Sequence, residues 1–138
     1  MSGRTVVTAP DAPPAVGPYS QGIAAGGFVF LAGQIPLVRD TGKLVEGGIT
    51  EQTEQCIANI QALLAGQKLT LADVVKATVF LADMEEFAAM NAVYGRHFTG
   101  TPPARSTVQV ARLPKDARVE IEVIAQVRLP NPEATDAA

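Results

Sequence analysis

The sequence predicts a single α/β (α+β) domain in which one sheet of about six strands carries two helices on one face. The chain has 138 residues, a usual length for one domain. Hydrophobic residues make up 47% of it, as expected of a globular fold. Segments with strand and helix patterns follow one another in the order β-β-β-α-β-α-β-β. Because right-handed crossovers connect the strands on either side of each helix, we expect both helices on the same face of the sheet.

The first part of the chain predicts three short strands followed by a long connection. Residues 4–8 form the first strand, and the proline-rich loop APDAPPAVGP follows it. The segment YSQGIAAGGFVFLAGQI predicts two strands that turn at Gly26-Gly27, since paired glycines favour hairpin turns. Residues 40–42 of the connection are expected to form another turn.

Two helices are predicted from capping residues and apolar spacing. Thr50 is the expected N-cap of the first helix, with Glu51 in its first turn and Gly66 at its end. Asp83 and Glu86 are placed to cap the second helix. Apolar residues then recur at helical spacing: Cys56, Ile57, Ile60, Leu63 and Leu64 in the first helix, and Phe87, Met90, Tyr94 and Phe98 in the second.

The last strands carry two charged residues that need an explanation. Residues 74–82 predict a buried strand, and residues 102–127 predict two alternating strands around a polar turn. In the final strand the apolar residues should meet the helices, so Glu120 should face outward; we expect Arg105 to face outward too. The remaining residues expected on this uncovered face are Thr107, Gln109, Glu122, Ile124 and Gln126. Its mixed polarity would suit a wet subunit interface.

Arg105 and Glu120 could act together on one ligand. Arginine offers parallel donors to a carboxylate, so Arg105 could hold a small acid, and Glu120 could orient or deprotonate a water molecule beside it. Spacing alone leaves open an ordinary cross-strand ion pair or a solvated face. Tyr19 could be a hydroxyl donor at a pocket or simply a strand residue.

Composition argues against several other classes of function. The chain has one cysteine, Cys56, and one histidine, His97, so a metal site or catalytic triad has little support. We expect Cys56 in the core and His97 in a contact with the helix dipole. The net charge of −3 counts against nucleic acid as a partner. Without an apolar leader or membrane span, we expect a cytoplasmic protein with one domain over residues 1–130 and a mobile tail at 131–138.

The segment PARSTVQVARLPKDARVEIEVIA closely resembles the signature segment of the Rid/YjgF family of reactive-intermediate deaminases. GPYSQG, LAGQIPL and VVKATVFLADMEEFAAMNAVYGRHF match that family in the same order, so the resemblance covers the chain from Val7 to Arg128. It implies a chorismate-mutase-like fold with a mixed sheet, whose last strand is inserted within the sheet. It also implies a homotrimer with ligand clefts between subunits. The implied activity is hydrolysis of 2-imino acids and their enamines to 2-keto acids and ammonia, without a cofactor or metal.

The resemblance also implies roles for individual residues. Arg105 matches the arginine that binds the ligand carboxylate, and Glu120 matches the acid that positions water. The residues that match the cleft lining are Tyr19, Ala32, Gly33, Asn91 and Thr107. Two of these depart from the best-known members, because Ala32 replaces a frequent serine and Thr107 replaces a frequent cysteine. The preferred imino acid is therefore left open.

Two other functions are compatible with these residues. A non-catalytic trimer that binds small carboxylic acids would keep Arg105 and tolerate loss of Glu120. An RNA-acting protein is the third hypothesis, since some members of the family are described as ribonucleases or translation inhibitors. The negative net charge and the lack of exposed aromatic platforms count against it.

Overall fold

The structure, a computed structural model, describes residues 3–128 and has the predicted order of elements. The strands are β1 (Thr5–Val7), β2 (Gly22–Ala25), β3 (Phe28–Leu31), β4 (Val74–Leu81), β5 (Ala104–Gln109) and β6 (Val119–Gln126). The helices are α1 (Ile49–Ala65) and α2 (Phe87–His97). Among the described residues, neither helix is long and apolar enough to cross a bilayer. The expected tail at 131–138 lies outside the described residues.

The six strands form one mixed sheet in the order β1-β2-β3-β6-β4-β5. β6 is antiparallel to both β3 and β4, and within residues 3–128 β5 pairs only with β4, in parallel. The last two strands are therefore not a hairpin, and β6 is inserted within the sheet as the resemblance implies. A parallel pair needs a crossover connection, and α2 supplies it between β4 and β5.

The core lies between the sheet and the two helices. Every second residue of β6 from Val119 to Ala125 is buried, as are Cys56 and most of the apolar stripe of each helix. Arg96 of α2 forms a salt bridge with Glu54 of α1, and His97 lies within hydrogen-bond distance of the same carboxylate, so these contacts join the two helices at their surface. The predicted face of β6 and the predicted core position of Cys56 are thus confirmed.

The turns and caps agree with the sequence in part. Gly26 and Gly27 have φ angles of 61° and 85°, a left-handed conformation that glycine adopts without steric cost, so the predicted hairpin turn is confirmed. Thr50 is not the N-cap of α1. The cap is Gly48, whose backbone N–H donates to the Glu51 side chain at 2.8 Å. Asp83 caps a short 3₁₀ turn that precedes α2.

The face of the sheet opposite the helices carries an exposed apolar row. Val6, Ile23, Phe30 and Ile124 are paired in register across β1, β2, β3 and β6, so their side chains lie side by side. Val6 is 58% exposed and Phe30 is 44% exposed. An exposed apolar strip on a small protein is typical of a contact surface.

Candidate functional site

Arg105 lies on β5 and reaches toward α2. Its backbone is level with Ala77 of β4, and Ala77 is fully buried beneath the helices. Paired residues of neighbouring strands point to the same side of a sheet, so Arg105 lies on the helix side. The guanidinium carbon sits 4.6 Å from the ring centre of Tyr94, and the Nη1 group donates to Asn91 Oδ1 at 2.7 Å.

The prediction that Arg105 and Glu120 share one side of the sheet is wrong. Glu120 is paired with Phe80 on the side of the sheet away from the helices, whereas Arg105 lies on the helix side. Thr107 and Gln109 share one side of β5 with Arg105, so they too lie on the helix side and not on the predicted open side. The cause is the position of β5 at the sheet edge. Its residues on the helix side are all polar, so the pattern points to the open side, but at the sheet edge none of them is fully buried.

Within residues 3–128, no carboxylate lies within salt-bridge distance of Arg105. Its only hydrogen-bond partner is a neutral amide oxygen, and the Nε and Nη2 groups meet no protein acceptor in this range. Other arginines do pair with acids: Arg39 with Asp40, Arg96 with Glu54, Arg112 with Asp116, Arg118 with Glu86 and Arg128 with Asp73. The alternative of an ordinary ion pair between Arg105 and Glu120 is therefore excluded within one chain.

Glu120 is half-buried on the open side of the sheet and packs against Gly33. A Cβ atom at position 33 would collide with the Glu120 carboxylate, so only glycine permits this approach. Burial raises the pKa of Glu120, and the nearby negative charge of Glu122 raises it further. A carboxylate with a raised pKa is a better general base near neutral pH than an ordinary glutamate.

Residues 32–34 form the chain segment that borders Glu120. The backbone N–H of Ala32 donates to Gln21 O at 2.9 Å, and the Gln34 side chain donates to Ala32 O at 2.9 Å. The Gln34 backbone pairs with Ile121, next to Glu120. The Cys56 thiol donates to Gln34 O at 3.1 Å. Sequence reasoning did not identify Gln34 and Cys56 as residues that hold this segment in place, because the contacts of Gln34 with Ile121 and of Cys56 with Gln34 join distant parts of the chain.

Tyr19 lies in the loop three residues before β2, so the prediction that it starts a strand is wrong. Its side chain is about half exposed, and its hydroxyl accepts a hydrogen bond from the Val16 backbone at 3.3 Å. Tyr19, Ser20 and Gln21 are among the residues that line an open groove of about 750 Å³. Gln21 also accepts the Ala32 backbone N–H, which places this groove next to the segment bordering Glu120.

Thr107 lies two residues after Arg105, on the same side of β5. Its hydroxyl oxygen is buried and has no hydrogen-bond partner among the described residues, and the same is true of the Tyr94 hydroxyl. Buried polar groups normally have partners, because an unpartnered group loses its bonds to water without replacement. These two hydroxyls are therefore unusual features of the region around Arg105.

The predicted site residues fall into two separate groups in one chain. The acidic group contains Glu120, Gly33 and Ala32, with Tyr19 in the adjoining loop. The basic group contains Arg105, Asn91 and Thr107. Two strand spacings and three residues separate Arg105 from Glu120, which is roughly 10 Å across and roughly 10 Å along the sheet. Within one chain, the group around Arg105 and the group around Glu120 therefore do not meet.

The remaining candidates do not belong to either group. His97 Nε2 lies 2.7 Å from the Glu54 carboxylate at the outer surface of the two helices. Its position in the last turn of α2 agrees with the predicted dipole contact. Across residues 3–128, no cluster of three or more metal-ligating side chains is present.

Comparison with known proteins identifies the family. The protein-family model described as "Endoribonuclease L-PSP" matches residues 9–127 of this chain. A RutC family protein from Pyrococcus horikoshii is 50% identical over 88% of this chain and 97% of its own, and the "2-iminobutanoate/2-iminopropanoate deaminase" of Capra hircus is 43% identical over 88% and 89%. The crystal structure of E. coli TdcF with bound serine has a TM-score of 0.85, with 40% identity over 90% of this chain and 99% of that chain. The chain therefore belongs to the endoribonuclease L-PSP family, which is the Rid/YjgF family that the sequence resembles.

Proposed function

We propose that this protein is a hydrolase that acts on C=N bonds and converts reactive 2-imino acids and their enamines to 2-keto acids and ammonia. The observation that carries the proposal is the state of Arg105. An amide oxygen and aromatic rings hold the guanidinium, and its remaining donors have no carboxylate partner within residues 3–128. Relatives at 42–43% identity bear the name 2-iminobutanoate/2-iminopropanoate deaminase, which supports this substrate class.

The proposed active site lies between subunits of a homotrimer. Because Arg105 and Glu120 lie on opposite sides of one sheet, a single ligand can meet both groups only if a second copy supplies one of them. The exposed row of Val6, Ile23, Phe30 and Ile124 supports an assembly in which the open faces of the sheets pack together. In that assembly, Arg105 at the sheet edge of one subunit would approach Glu120 of a neighbouring subunit.

The chemistry follows from these two groups. Arg105 binds the substrate carboxylate through two parallel hydrogen bonds and fixes the imine carbon. Glu120 accepts a proton from a water molecule as the oxygen attacks that carbon, and the C=N bond becomes a C–N single bond. With the imine nitrogen protonated at the start, this addition gives an amine and a hydroxyl on the same carbon. Protonated Glu120 then returns its proton to the amine, the C–N bond breaks to release ammonia, and the hydroxyl gives its proton to the Glu120 carboxylate as the C=O bond forms. Positioning can contribute about 7–11 kcal/mol to such a reaction, and one acid–base group about 10²–10⁴ in rate.

The experiment that tests this function couples a serine or threonine dehydratase to the protein and follows release of the 2-keto acid. Arg105→Ala should lower activity by about 10²–10⁴, because two charge-assisted hydrogen bonds of about 1.5–3 kcal/mol each are lost. Arg105→Lys should restore little, since an ammonium group lacks the planar fork. Wild-type activity in Arg105→Ala would remove Arg105 from the site.

A second candidate is a non-catalytic trimer that binds small carboxylic acids. The separation of Arg105 from Glu120 within one chain favours it, because carboxylate binding by Arg105 does not require Glu120. An RNA-acting function has weaker support, since the net charge is −3 and nucleic-acid binding depends on neutralising phosphates. A cytoplasmic location stays a prediction from the sequence.

A further inference from the structure

We propose that Tyr94 is a positioning residue whose ring holds the Arg105 guanidinium in the orientation that binds the substrate carboxylate. The inference rests on the proposed function and assigns a role to a residue that the sequence marked only as part of an apolar stripe. Tyr94 would act through Arg105 and would not itself touch the reacting atoms.

The contacts around Arg105 leave one side of its guanidinium free. The ring of Tyr94 lies 4.6 Å from the guanidinium carbon, and the ring of Phe87 lies 5.6 Å from it. Asn91 Oδ1 accepts from Nη1 at 2.7 Å. Together the rings and the amide restrain the group, while Nε and Nη2 have no acceptor among the described residues. Those two donors form the parallel pair that a carboxylate can accept.

Tyr94 is the rigid part of this arrangement. It is 5% exposed, and its ring stacks on Phe98 with centroids 4.2 Å apart and an interplanar angle of 18°. Phe87 is farther from Arg105 and is 36% exposed, so it can restrain the guanidinium less. Asn91 is exposed on the same helix. A buried, stacked ring gives a flexible arginine side chain a fixed surface, and the cation–π attraction is strongest where water is excluded.

The ring, and not the hydroxyl, is the group that the structure places on Arg105. The Tyr94 hydroxyl is buried and has no partner in the described part of the chain. Burial raises the pKa of this phenol, with the Arg105 charge opposing the shift, so the hydroxyl stays neutral near neutral pH. A phenylalanine at this position keeps the ring and removes a polar atom that has no partner.

The test compares Tyr94→Phe with Tyr94→Leu in the full-length protein. Calorimetry measures the affinity for 2-oxobutanoate, and steady-state imine hydrolysis gives kcat and KM. Tyr94→Leu should weaken 2-oxobutanoate binding about tenfold and raise KM more than it lowers kcat, because the carboxylate is held in the ground state and the transition state alike. Tyr94→Phe should keep the wild-type affinity to within about threefold.

Two controls separate positioning from general loss of packing. Val93→Ala also opens space on the buried side of α2, but Val93 has no ring that could hold Arg105. The affinity of this variant for 2-oxobutanoate should therefore stay at the wild-type value. In an Arg105→Ala background, Tyr94→Leu should add no further loss of affinity, as for two residues that act through one contact. If Tyr94→Leu does not fold, Tyr94→Met fills similar space without a ring and takes its place.

The outcomes distinguish the two proposals. If Arg105→Ala binds 2-oxobutanoate as tightly as the wild type, the proposed function fails. If Arg105→Ala loses binding while Tyr94→Leu keeps it, the positioning role alone is wrong. Equal losses in Tyr94→Phe and Tyr94→Leu would also overturn the role of the ring, because they would assign the effect to the hydroxyl.

Discussion

Among single residues, Glu120 decides between an enzyme and a binding protein. If it positions the attacking water, Glu120→Gln keeps the size of the side chain but removes the base. Turnover should fall by about 10²–10⁴ while 2-oxobutanoate binding changes little, because Arg105 holds the carboxylate. Steady-state hydrolysis and calorimetry on the same variant measure both quantities. If turnover and binding fall together, or if neither falls, the water-positioning role of Glu120 is wrong and the non-catalytic function is favoured.

Glu122 provides a matched control on the same strand. It lies two residues after Glu120 on the same side of the sheet, and the resemblance gives it no role. Glu122→Gln should therefore keep most of the turnover at neutral pH. A loss as large as that in Glu120→Gln would mean that the open face needs both charges, and the specific role of Glu120 would be withdrawn.

The pH dependence of activity follows from the raised pKa of Glu120. Only the ionised carboxylate can accept a proton, so kcat/KM should fall as the pH drops through that pKa, above the usual glutamate value of about 4.3. Glu122→Gln removes the nearby negative charge and should move this acidic limb to lower pH. The measurement is the kcat/KM profile of both proteins with one substrate. A limb that stays in place, or moves to higher pH, would contradict the assignment.

The raised pKa of Glu120 has the opposite effect on the stability of the fold. Because the pKa of Glu120 is higher in the folded chain than in the unfolded chain, the unfolded chain loses this proton first as the pH rises. The free energy of unfolding therefore decreases as the pH rises through the two pKa values. If Glu120 is the base, its ionised form is gained at some expense of stability, as is common for active-site groups.

Among the elements, the start of α1 tests where local sequence signals succeed. The sequence predicts Thr50 as the N-cap, whereas the structure has Gly48 at the cap and Glu51 bonded back to its N–H. Glu51→Ala should lower the free energy of unfolding by about 1 kcal/mol, the usual size of one such hydrogen bond. Thr50→Ala should change it by less than about 0.5 kcal/mol. Urea unfolding of both variants measures this, and the reverse ranking would favour Thr50 as the cap.

In strand β5 the local sequence pattern gives the alternation of the residues but not the side of the sheet that they take. Its alternation was predicted correctly, since Arg105, Thr107 and Gln109 do share one side of the strand. The prediction of the side is wrong, because the polar residues of an edge strand can lie on the helix side without being fully buried. Its pairing with β4, where Arg105 is level with the buried Ala77, determines which side each residue takes.

For the molecule as a whole, the proposed site requires an assembly. We expect light scattering to give a mass near that of three chains at micromolar concentration. Phe30→Glu should dissociate the assembly and abolish imine hydrolysis together, because a charge in the exposed apolar row would lose its water on association. Ala58→Glu, on the exposed side of α1, is the control and should leave both unchanged. A stable, fully active monomer would eliminate the shared site.

Local chemistry in the sequence was enough for the order of the elements, the buried face of β6, the glycine turn and the residue types of the site. These features depend on side-chain period and on short-range backbone preferences, which act over a few neighbouring residues. The family resemblance added the insertion of the last strand, and it is the source of the roles proposed for Arg105 and Glu120. The spacing of residues within the sequence does not contain that information.

The tertiary structure alone decided which side of the sheet Arg105 takes, how Gly33 admits Glu120, and which ring lies on the guanidinium. Each of these depends on a contact between residues that do not neighbour one another in the sequence, such as Ala77 with Arg105 or Gly33 with Glu120. Pairing with neighbouring strands decides the face, because a two-residue period specifies alternation but not which side meets the core. That is why the separation of Arg105 from Glu120 becomes visible only in the folded chain.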